Sequence, residues 1–320
     1  MSQRRSPLPV LAAALGAAAA LPVLAAFASS TAMAQEDPAQ EDPTVRFGIV
    51  ADPQYAPVPP RGSRYYANSL WKLSEAVEAF NGQELDFVVT VGDIIDRHVE
   101  SFQHILPIYQ RLEHPNWYVL GNHDYDVASD YVATVPAFLG MPERYYDRVV
   151  NGVRFIVLDG NDLSTFANPE GTPRHEASMA MYESLVAAAA VNARTWNGGV
   201  SEDQLAWLRG RLDAAAAAGE PVVVLGHYPL WPEDMHNLWN YEEVVALLGG
   251  YDNVVAYFNG HNHAGHYGTA DGIHYVTLEG MVETPAETAY AVVEIHADRL
   301  VIDGAGRASD RELPIPAVME

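Results

Sequence analysis

Residues 258–263 read Phe258-Asn259-Gly260-His261-Asn262-His263, which places a Gly-His-x-His motif directly after the apolar run from Val254 to Phe258. The apolar run is typical of a buried strand, so the motif lies in the loop that follows it. Two imidazoles one residue apart in a loop rarely serve packing. They can turn towards two different metal ions if other ligands meet them there. The motif therefore predicts further metal ligands elsewhere in the sequence.

Four other short segments carry ligand-type side chains in the same position, directly after an apolar run. They are Ala51-Asp52-Pro53-Gln54, Gly92-Asp93-Ile94-Ile95-Asp96, Gly121-Asn122-His123-Asp124 and Gly226-His227. A single aspartate after a strand is usually a helix cap or a turn former, but that does not explain five such loops. The carboxyl ends of strands are where open α/β sheets place active sites. The ligand atoms are all nitrogen or oxygen, which suits Mn²⁺, Fe²⁺ or Zn²⁺ and excludes a thiolate site.

The order of the predicted elements indicates an α/β fold with a largely parallel sheet. The predicted strands are residues 45–50, 87–91, 117–120, 145–150, 153–158, 222–225 and 254–258. The predicted helices are residues 65–80, 100–112, 177–191, 201–218 and 241–248. Asn151-Gly152 predicts a tight hairpin, and the tail predicts three antiparallel strands, 273–278, 290–296 and 300–302. We expect one domain over residues 45–320, with residues 161–199 as an insertion that is either a substrate cap or surface decoration.

The segment from Met1 to Ala34 is typical of an export signal. Arg4 and Arg5 precede an Ala-rich apolar run from Leu8 to Phe27, and Ala32-Met33-Ala34 is a small-x-small cleavage site. Cleavage after Ala34, by the Sec or the twin-arginine route, leaves an acidic linker over residues 35–44 and a periplasmic or secreted protein. The alternative is an uncleaved anchor, because the run is long enough to span a bilayer. The chain has no cysteine, which excludes a lipoprotein and disulfides.

The rest of the chain is strongly acidic. It carries 16 basic and 42 acidic side chains, a formal charge of −26, because the signal segment holds two arginines and no acidic residue. Such a surface repels nucleic acid and anionic lipid, so we expect neither as a partner, and no stable membrane partner after signal cleavage. An anionic small molecule needs local cations, which divalent metal ions would supply.

Taken together, the five motifs resemble those of the calcineurin-like metallophosphoesterase superfamily. Over residues 45–311 the chain resembles one branch of it, the manganese-dependent ADP-ribose/CDP-alcohol diphosphatases. This closer resemblance lies in Ala51-Asp52-Pro53-Gln54-Tyr55, Arg64-Tyr65-Tyr66-Ala67-Asn68-Ser69-Leu70, Gly92-Asp93-Ile94-Ile95-Asp96, Trp196-Asn197-Gly198-Gly199, Leu238-Trp239-Asn240-Tyr241, Leu278-Glu279-Gly280 and Glu283-Thr284. The resemblance implies two β-sheets packed face to face with helices outside them, a four-layer α-β-β-α fold.

The resemblance also implies a role for each ligand. One divalent ion takes Asp52, Gln54 and His263, the other takes Asn122, His227 and His261, and Asp93 bridges them. His123 stays off the metals and acts near the leaving group or the phosphate oxygens. Asp124 orients His123, and Asp96 lies behind the ligands. We expect both ions to be Mn²⁺, with Fe²⁺ or Zn²⁺ as alternatives, because the carbonyl of Gln54 is a neutral, hard ligand.

The candidates for substrate contact are less specific. They are Arg64, Arg97, Trp196, Asn197 and Trp239. The two arginines suit a second phosphate, with ordinary salt bridging as an equal alternative, and Lys72 is interpreted as a surface salt-bridge residue. The tryptophans, like Tyr65 and Tyr66, could stack on a nucleobase, although aromatic residues are more often core. Most of the remaining histidines are interpreted as solvated or packing residues, with substrate contact as an alternative for His98 and His266, which lie close to the motifs.

These observations predict an exported hydrolase with two metal ions. It uses metal-activated hydroxide to cleave the pyrophosphate bond of nucleoside diphosphate derivatives, such as ADP-ribose and CDP-alcohols, into two phosphomonoesters. One alternative is a phosphodiesterase or phosphomonoesterase of the same superfamily. Another is a metal-dependent binding protein that has lost catalysis, against which the intact ligand set and His123 argue. The natural substrate and the oligomeric state stay open.

Overall fold

Two six-stranded sheets face each other across the centre of the protein. The computed structural model describes residues 42–315, and these belong to one compact unit. The predicted signal at 1–34, and all but the end of the predicted linker at 35–44, lie outside the described residues. Within residues 42–315, no helix has both the length and the apolar character that crossing a bilayer needs.

The strands are short, and the central ones are apolar on both faces, as expected for strands covered on two sides. In chain order they are β1 Val45–Val50, β2 Phe87–Val91, β3 Asn116–Val119, β4 Tyr146–Val150, β5 Val153–Val157, β6 Leu163–Ser164, β7 Gly198–Gly199, β8 Val222–Leu225, β9 Val254–Asn259, β10 Ala264–Ala270, β11 Ile273–Glu279, β12 Ala289–Ile295, β13 Arg299–Gly306 and β14 Arg311–Pro314.

The helices connect the strands and cover the outer faces of the sheets. They are α1 Ser69–Asn81, α2 Glu100–Tyr109, α3 Ser129–Val132, α4 Val135–Phe138, α5 Pro173–Ala187, α6 Glu202–Ala218 and α7 Tyr241–Leu248. Single turns of 3₁₀ helix occur at Tyr66–Asn68 and His123–Tyr125. The side chain of Ser201 caps α6, because it accepts a hydrogen bond from the backbone N–H of Gln204.

Both large sheets are mixed. The first has the order β14-β13-β12-β1-β2-β3, with parallel pairing among β1, β2 and β3. The second has the order β10-β11-β9-β8-β5-β4, with parallel pairing among β11, β9, β8 and β5. Parallel strands end at the same edge of a sheet, so the loops after β1, β2 and β3, and those after β8 and β9, are brought together.

Three apolar clusters give the protein four layers. The first fills the space between the sheets, where the ring of Phe87 stacks on that of Trp117 with centroids 3.7 Å apart. The second packs α1 and α2 against the outer face of the first sheet. The third packs α6 and α7 against the outer face of the second. The predicted helix-sheet-sheet-helix order is confirmed.

The tail departs from the sequence prediction. We expected three antiparallel strands in succession, but β11 pairs parallel to β9 in the second sheet, whereas β12 and β13 pair in the first. The prediction also missed β10, whose sequence AGHYGTA has little β-propensity and is held by its pairing with β11. The helix of the insertion begins earlier than predicted, because the side chain of Thr172 caps it and Pro173 occupies its first turn.

Candidate metal centre

The five predicted loops meet where the two sheets adjoin. Two groups of ligand atoms form there, each within 4.8 Å: Asp52, Asp93 and His263 in one, and Asp93, His227 and His261 in the other. Asp93 belongs to both groups, and all five side chains are buried.

The two predicted amide ligands lie beside these groups. Gln54 Nε2 is 3.1 Å from His263 Nε2, and Asn122 Oδ1 is 3.1 Å from His227 Nε2. The structure therefore brings all seven predicted ligands together in the predicted division around Asp93. Their role as ligands stays a prediction.

The backbone at this place is strained in a way that is typical of functional sites. Asp52, Gln54, Asp93 and His261 have φ angles of 50°, 44°, 53° and 67°. Residues other than glycine rarely adopt this left-handed region, which costs about 1–3 kcal/mol at each position. Four such residues in one cluster indicate that the surrounding structure holds the side chains in place against this strain.

Two glycines allow the loops to approach closely. A Cβ atom on Gly121 would lie 2.2 Å from Asp93 Oδ1, and one on Gly260 would lie 2.4 Å from Asp52 Oδ2. Both carboxylates are therefore packed against backbone with no room for a side chain. The glycines that precede ligand-type residues in the sequence motifs are therefore required for steric reasons at these two positions.

Asp93 lies at the centre of the cluster and stays charged. Its Oδ1 accepts a hydrogen bond of 2.8 Å from the backbone N–H of His123, and its Oδ2 accepts one of 2.8 Å from Gln54 Nε2. Burial opposes the charged form, but His227 and His123 hold the pKa of Asp93 well below its usual value. A buried carboxylate of this kind attracts cations.

Each histidine of the cluster has one ring nitrogen fixed by a neighbour. His227 Nδ1 lies 2.9 Å from the carbonyl of Val91, and His263 Nδ1 lies 2.7 Å from Glu283 Oε1. In both rings this leaves Nε2 directed at the cluster, 3.4 Å and 3.6 Å from the nearest oxygen of Asp93 and Asp52 respectively. Metal-binding histidines are held by this type of outer hydrogen bond, which sets the tautomer.

The field of the cluster is strongly negative around His227. Burial disfavours its protonated form, yet Asp93 raises the pKa of His227 to about 9. The pKa of His261 is held well below its usual value by burial and by His227. The cluster thus favours a positive charge on His227, next to Asp93, and disfavours a second one on His261. A site for a cation has this kind of field.

Gln54 provides an independent test of whether a metal ion fits. Among the described residues, its buried Oε1 has no hydrogen-bond partner, whereas its Nε2 faces Asp93 and His263. A buried carbonyl without a partner costs about 1–3 kcal/mol. A half-turn of the terminal amide would direct this oxygen towards the other ligand atoms, where a hard cation would satisfy it. The residues therefore fit a divalent ion.

Asp124 does not orient His123, so that prediction is wrong. Its carboxylate accepts hydrogen bonds from the backbone N–H groups of Gly121, Ile94 and Ile95, at 2.9, 2.8 and 3.2 Å. Burial and the charge of Asp93 raise the pKa of Asp124 to about 7. The 3₁₀ turn at His123–Tyr125 separates the two side chains, so Asp124 instead joins the loops after β2 and β3.

Asp96 takes the place that we expected for Asp124. His123 Nδ1 lies 3.3 Å from Asp96 Oδ1 and 3.3 Å from its backbone carbonyl. The guanidinium of Arg97 contacts the other carboxylate oxygen of Asp96 and lies over the ring of Tyr66. The ring of His123 is partly exposed and keeps Nε2 available for a substrate.

Two of the predicted substrate contacts are buried and serve other roles. Asn197 Oδ1 lies 2.9 Å from His261 Nε2, while its Nδ2 donates to the backbone carbonyls of Asn192 and Met235. Trp239 is 2% exposed and donates from Nε1 to the carbonyl of Arg194. Asn197 therefore orients a predicted ligand, and Trp239 is part of the core, so their prediction as substrate contacts is wrong.

Three predicted contacts remain accessible. Trp196 is 42% exposed and is the residue before Asn197, with Arg194 stacked on its ring. Arg64 is partly exposed, and its Nε lies 3.8 Å from Glu283 Oε1. Arg97 lies beside the other half of the cluster, next to Asp96.

Two further residues near the centre were given no role, although Glu283 lies in a segment that carries the closer resemblance. Glu283, which contacts His263, follows β11, so its position after a sixth strand was the available signal. The ring of His236 lies 5.6 Å from that of His261, and its Nδ1 lies 2.6 Å from Asp234 Oδ1. His236 lies in a long loop and follows no apolar run, so no sequence pattern singled it out.

Comparisons with known proteins agree with this geometry. The calcineurin-like phosphoesterase family matches residues 45–265. A manganese-dependent ADP-ribose/CDP-alcohol diphosphatase from Oryza sativa subsp. japonica is 32% identical, over 85% of this chain and 94% of the relative. The Homo sapiens protein of the same name is 29% identical, over 83% of this chain and 91% of the relative. A solved dimetal phosphatase from Danio rerio superposes with a TM-score of 0.78 at 26% identity, over 86% of this chain and 100% of that one.

Proposed function

The chain belongs to the calcineurin-like phosphoesterase family, whose members are hydrolases, and we propose that it cleaves the pyrophosphate bond of nucleoside diphosphate derivatives such as ADP-ribose and CDP-alcohols. The products are two phosphomonoesters. The observation that carries the proposal is the position of Asp93 between two groups of ligand atoms. The name shared by the relatives from rice and human supports the substrate class and manganese as the metal.

Two manganese ions would be held by the residues of the cluster. Asp52, Gln54 and His263 would hold one ion, Asn122, His227 and His261 the other, and Asp93 would contact both. When bound, two such ions supply Lewis-acid activation of water and of the phosphate.

His123 is the group that donates a proton or a hydrogen bond at the reacting phosphate. Its Nδ1 lies 3.3 Å from Oδ1 and 3.3 Å from the backbone carbonyl of Asp96, so Nε2 is the ring nitrogen left to face the substrate. The protonated ring is the form that can donate from Nε2 while Nδ1 faces these two oxygens. From there Nε2 donates to the oxygen on which negative charge develops as the P–O–P bridge breaks.

The rest of a nucleoside diphosphate needs a second cation and an apolar surface. Arg64, which is partly exposed and lies beside Glu283, would be that cation for the phosphate that does not react. Trp196 offers an exposed indole for a nucleobase. The loop that carries Trp196 is fixed to the body, since Trp239 N donates to the carbonyl of Gly198 at 2.7 Å. The indole of Trp196 can therefore offer its face to an aromatic base from an anchored loop.

We also propose that the protein is exported. The support is the sequence alone: two arginines, an apolar run and an Ala-x-Ala site between Met1 and Ala34. N-terminal sequencing of the protein recovered from the periplasm or the medium should begin at Gln35. Recovery from the cytoplasm with the signal segment intact would contradict export.

A substrate panel tests the activity. The chain from Gln35 is stripped of metal, supplied with Mn²⁺ and given ADP-ribose, CDP-choline, a cyclic nucleotide and p-nitrophenyl phosphate, with products identified by mass spectrometry. We expect AMP and ribose 5-phosphate from ADP-ribose at a higher kcat/KM than for the monoester or the cyclic nucleotide. A preference for either of those would show a phosphomonoesterase or phosphodiesterase with the same centre and contradict the proposal.

A further inference from the structure

Lys72 is buried in the core beside the candidate metal centre. It is 0% exposed and lies on the same face of α1 as Leu73, Ala76 and Phe80. A sequence interpretation as a surface salt-bridge residue is therefore wrong. Lysine is almost never fully buried unless its charge is satisfied, so its partners indicate what it does.

The ammonium group of Lys72 is satisfied by three backbone carbonyls of one loop. Nζ donates to the carbonyls of Met281, Glu283 and Thr284, at 2.8, 2.6 and 2.7 Å. Burial lowers the pKa of Lys72 to about 8, with Arg307 adding to this effect and Glu283 opposing it. At neutral pH the amine is still protonated and has one N–H for each carbonyl.

This loop, residues 280–284, is bonded to the candidate centre at three points. Glu283 Oε1 lies 2.7 Å from His263 Nδ1. The backbone N–H groups of Met281 and Val282 donate to the carbonyls of Ala51 and Asp52, at 2.9 and 3.0 Å. The 280–284 loop thus fixes the ring of His263 and the strained backbone at Asp52. These are two of the three residues that are predicted to contact only this ion and not the other.

A second cation holds the start of the same loop. Arg307 donates to the carbonyl of Gly280 at 2.9 Å and to that of His263 at 3.4 Å. The other predicted ion position has separate supports, because the ring of His227 is oriented by Val91 and that of His261 by Asn197. The two halves of the centre are therefore braced by different parts of the fold.

We propose that Lys72 is a positioning residue for one of the two ions: through the 280–284 loop it sets the affinity of the position formed by Asp52, Gln54 and His263, and it leaves the other position unchanged. The inference rests on the proposed function, because it takes two bound ions as given. Removing an outer partner of a ligand costs roughly 10- to 100-fold in metal affinity. For Lys72 we expect a loss of about 10-fold in metal affinity, because Lys72 contacts the 280–284 loop and not a ligand side chain.

The test compares Mn²⁺ binding in the wild type, Lys72→Met and the control Arg154→Met. Arg154 is also a largely buried cation with partners, Asp147 and Glu220, but it lies at the amino end of β5, away from the centre. Equilibrium dialysis gives the affinity of each ion, and electron paramagnetic resonance at limiting Mn²⁺ distinguishes an isolated ion from a coupled pair.

In Lys72→Met we expect one ion to bind as in the wild type and the other about 10-fold more weakly. The resonance at limiting Mn²⁺ should shift towards that of an isolated ion, and excess Mn²⁺ should restore kcat. Lys72→Gln, a milder change, should show the same selective weakening and serves if the methionine variant does not fold. In Arg154→Met both affinities should be unchanged.

Unchanged affinity for both ions in a folded Lys72 variant would overturn the inference, as would equal weakening of both. The same selective loss in Arg154→Met would overturn it too, because that would indicate a general effect of lost stability. A wild-type chain that binds fewer than two ions would instead contradict the proposed function.

Discussion

Replacing His123 with alanine, Asp96 with asparagine, and both together tests how the proton donor of the site is held. If His123 donates to the charge that develops on the substrate, its removal should lower kcat by about 10²–10³, which is roughly 2.7–4 kcal/mol of transition-state stabilisation. Metal binding should not change, because the ring of His123 is not among the predicted ligands.

The expected effect of Asp96 follows from its contacts. His123 Nδ1 lies 3.3 Å from Oδ1 and 3.3 Å from the backbone carbonyl of Asp96. Arg97 contacts the same carboxylate and neutralises most of its charge. The backbone carbonyl is unchanged in Asp96→Asn, so we expect only part of the orientation to be lost, with about a tenfold loss of kcat, which is about 1.4 kcal/mol.

The assay is steady-state hydrolysis of ADP-ribose at saturating Mn²⁺, with His114→Ala as a control. His114 is remote from the centre and contacts the carbonyl of Phe80, so its removal should leave kcat unchanged. Because Asp96 acts only through His123, the double variant should be no slower than His123→Ala alone. A double variant that is slower by the product of the two single effects would refute this coupling, and full activity in His123→Ala would refute the role of His123.

Three further predictions concern the surroundings of the centre. Trp196→Ala should raise KM for ADP-ribose about tenfold with little change in kcat, because stacking is lost. In the control Trp71→Ala, at an equally exposed tryptophan, neither KM nor kcat should change. A KM in Trp196→Ala equal to that of the wild type would exclude Trp196 from the substrate site. Asn197→Leu should weaken binding of one Mn²⁺ by roughly 10- to 100-fold, because the ring of His261 loses its partner, and unchanged binding in a calorimetric titration would contradict that role. Burial favours the neutral form of Glu283, but its hydrogen bond with His263 lowers the pKa of Glu283 from 4.5 to about 2. The contribution of Glu283 to stability is therefore complete above pH 4.5 and is lost as the pH falls towards 2. The difference in urea stability between the metal-free wild type and Glu283→Gln should therefore shrink over that range, and a constant difference would argue against the His263–Glu283 pair.

The side chains that meet in the cluster were predictable from the sequence because their signal is local. Each motif combines a short apolar run with a glycine or small residue and an oxygen or nitrogen ligand, and the steric need for Gly121 and Gly260 explains the pattern. The alternation of strands and helices likewise predicted an α/β fold, whereas the four layers were implied by the family resemblance. These features depend on neighbours in the chain, which the sequence displays directly.

Three of the misses concern contacts between distant parts of the chain. Asp124 is adjacent to His123 in sequence, yet Asp96, from another loop, contacts the ring. Lys72 has no local signal for burial, since its three acceptors lie in a loop near the other end of the chain. The sheet that β11 joins depends on its pairing with β9, which no pattern within residues 273–279 reveals.

Anomalous diffraction at the manganese edge, from crystals grown with Mn²⁺, tests the dinuclear centre most directly. We predict two peaks about 3.5–4 Å apart, with the carboxylate of Asp93 between them. One peak should lie beside Asp52, Gln54 and His263, and the other beside Asn122, His227 and His261. A single peak, or two peaks of which only one contacts Asp93, would contradict the centre on which the proposed chemistry depends.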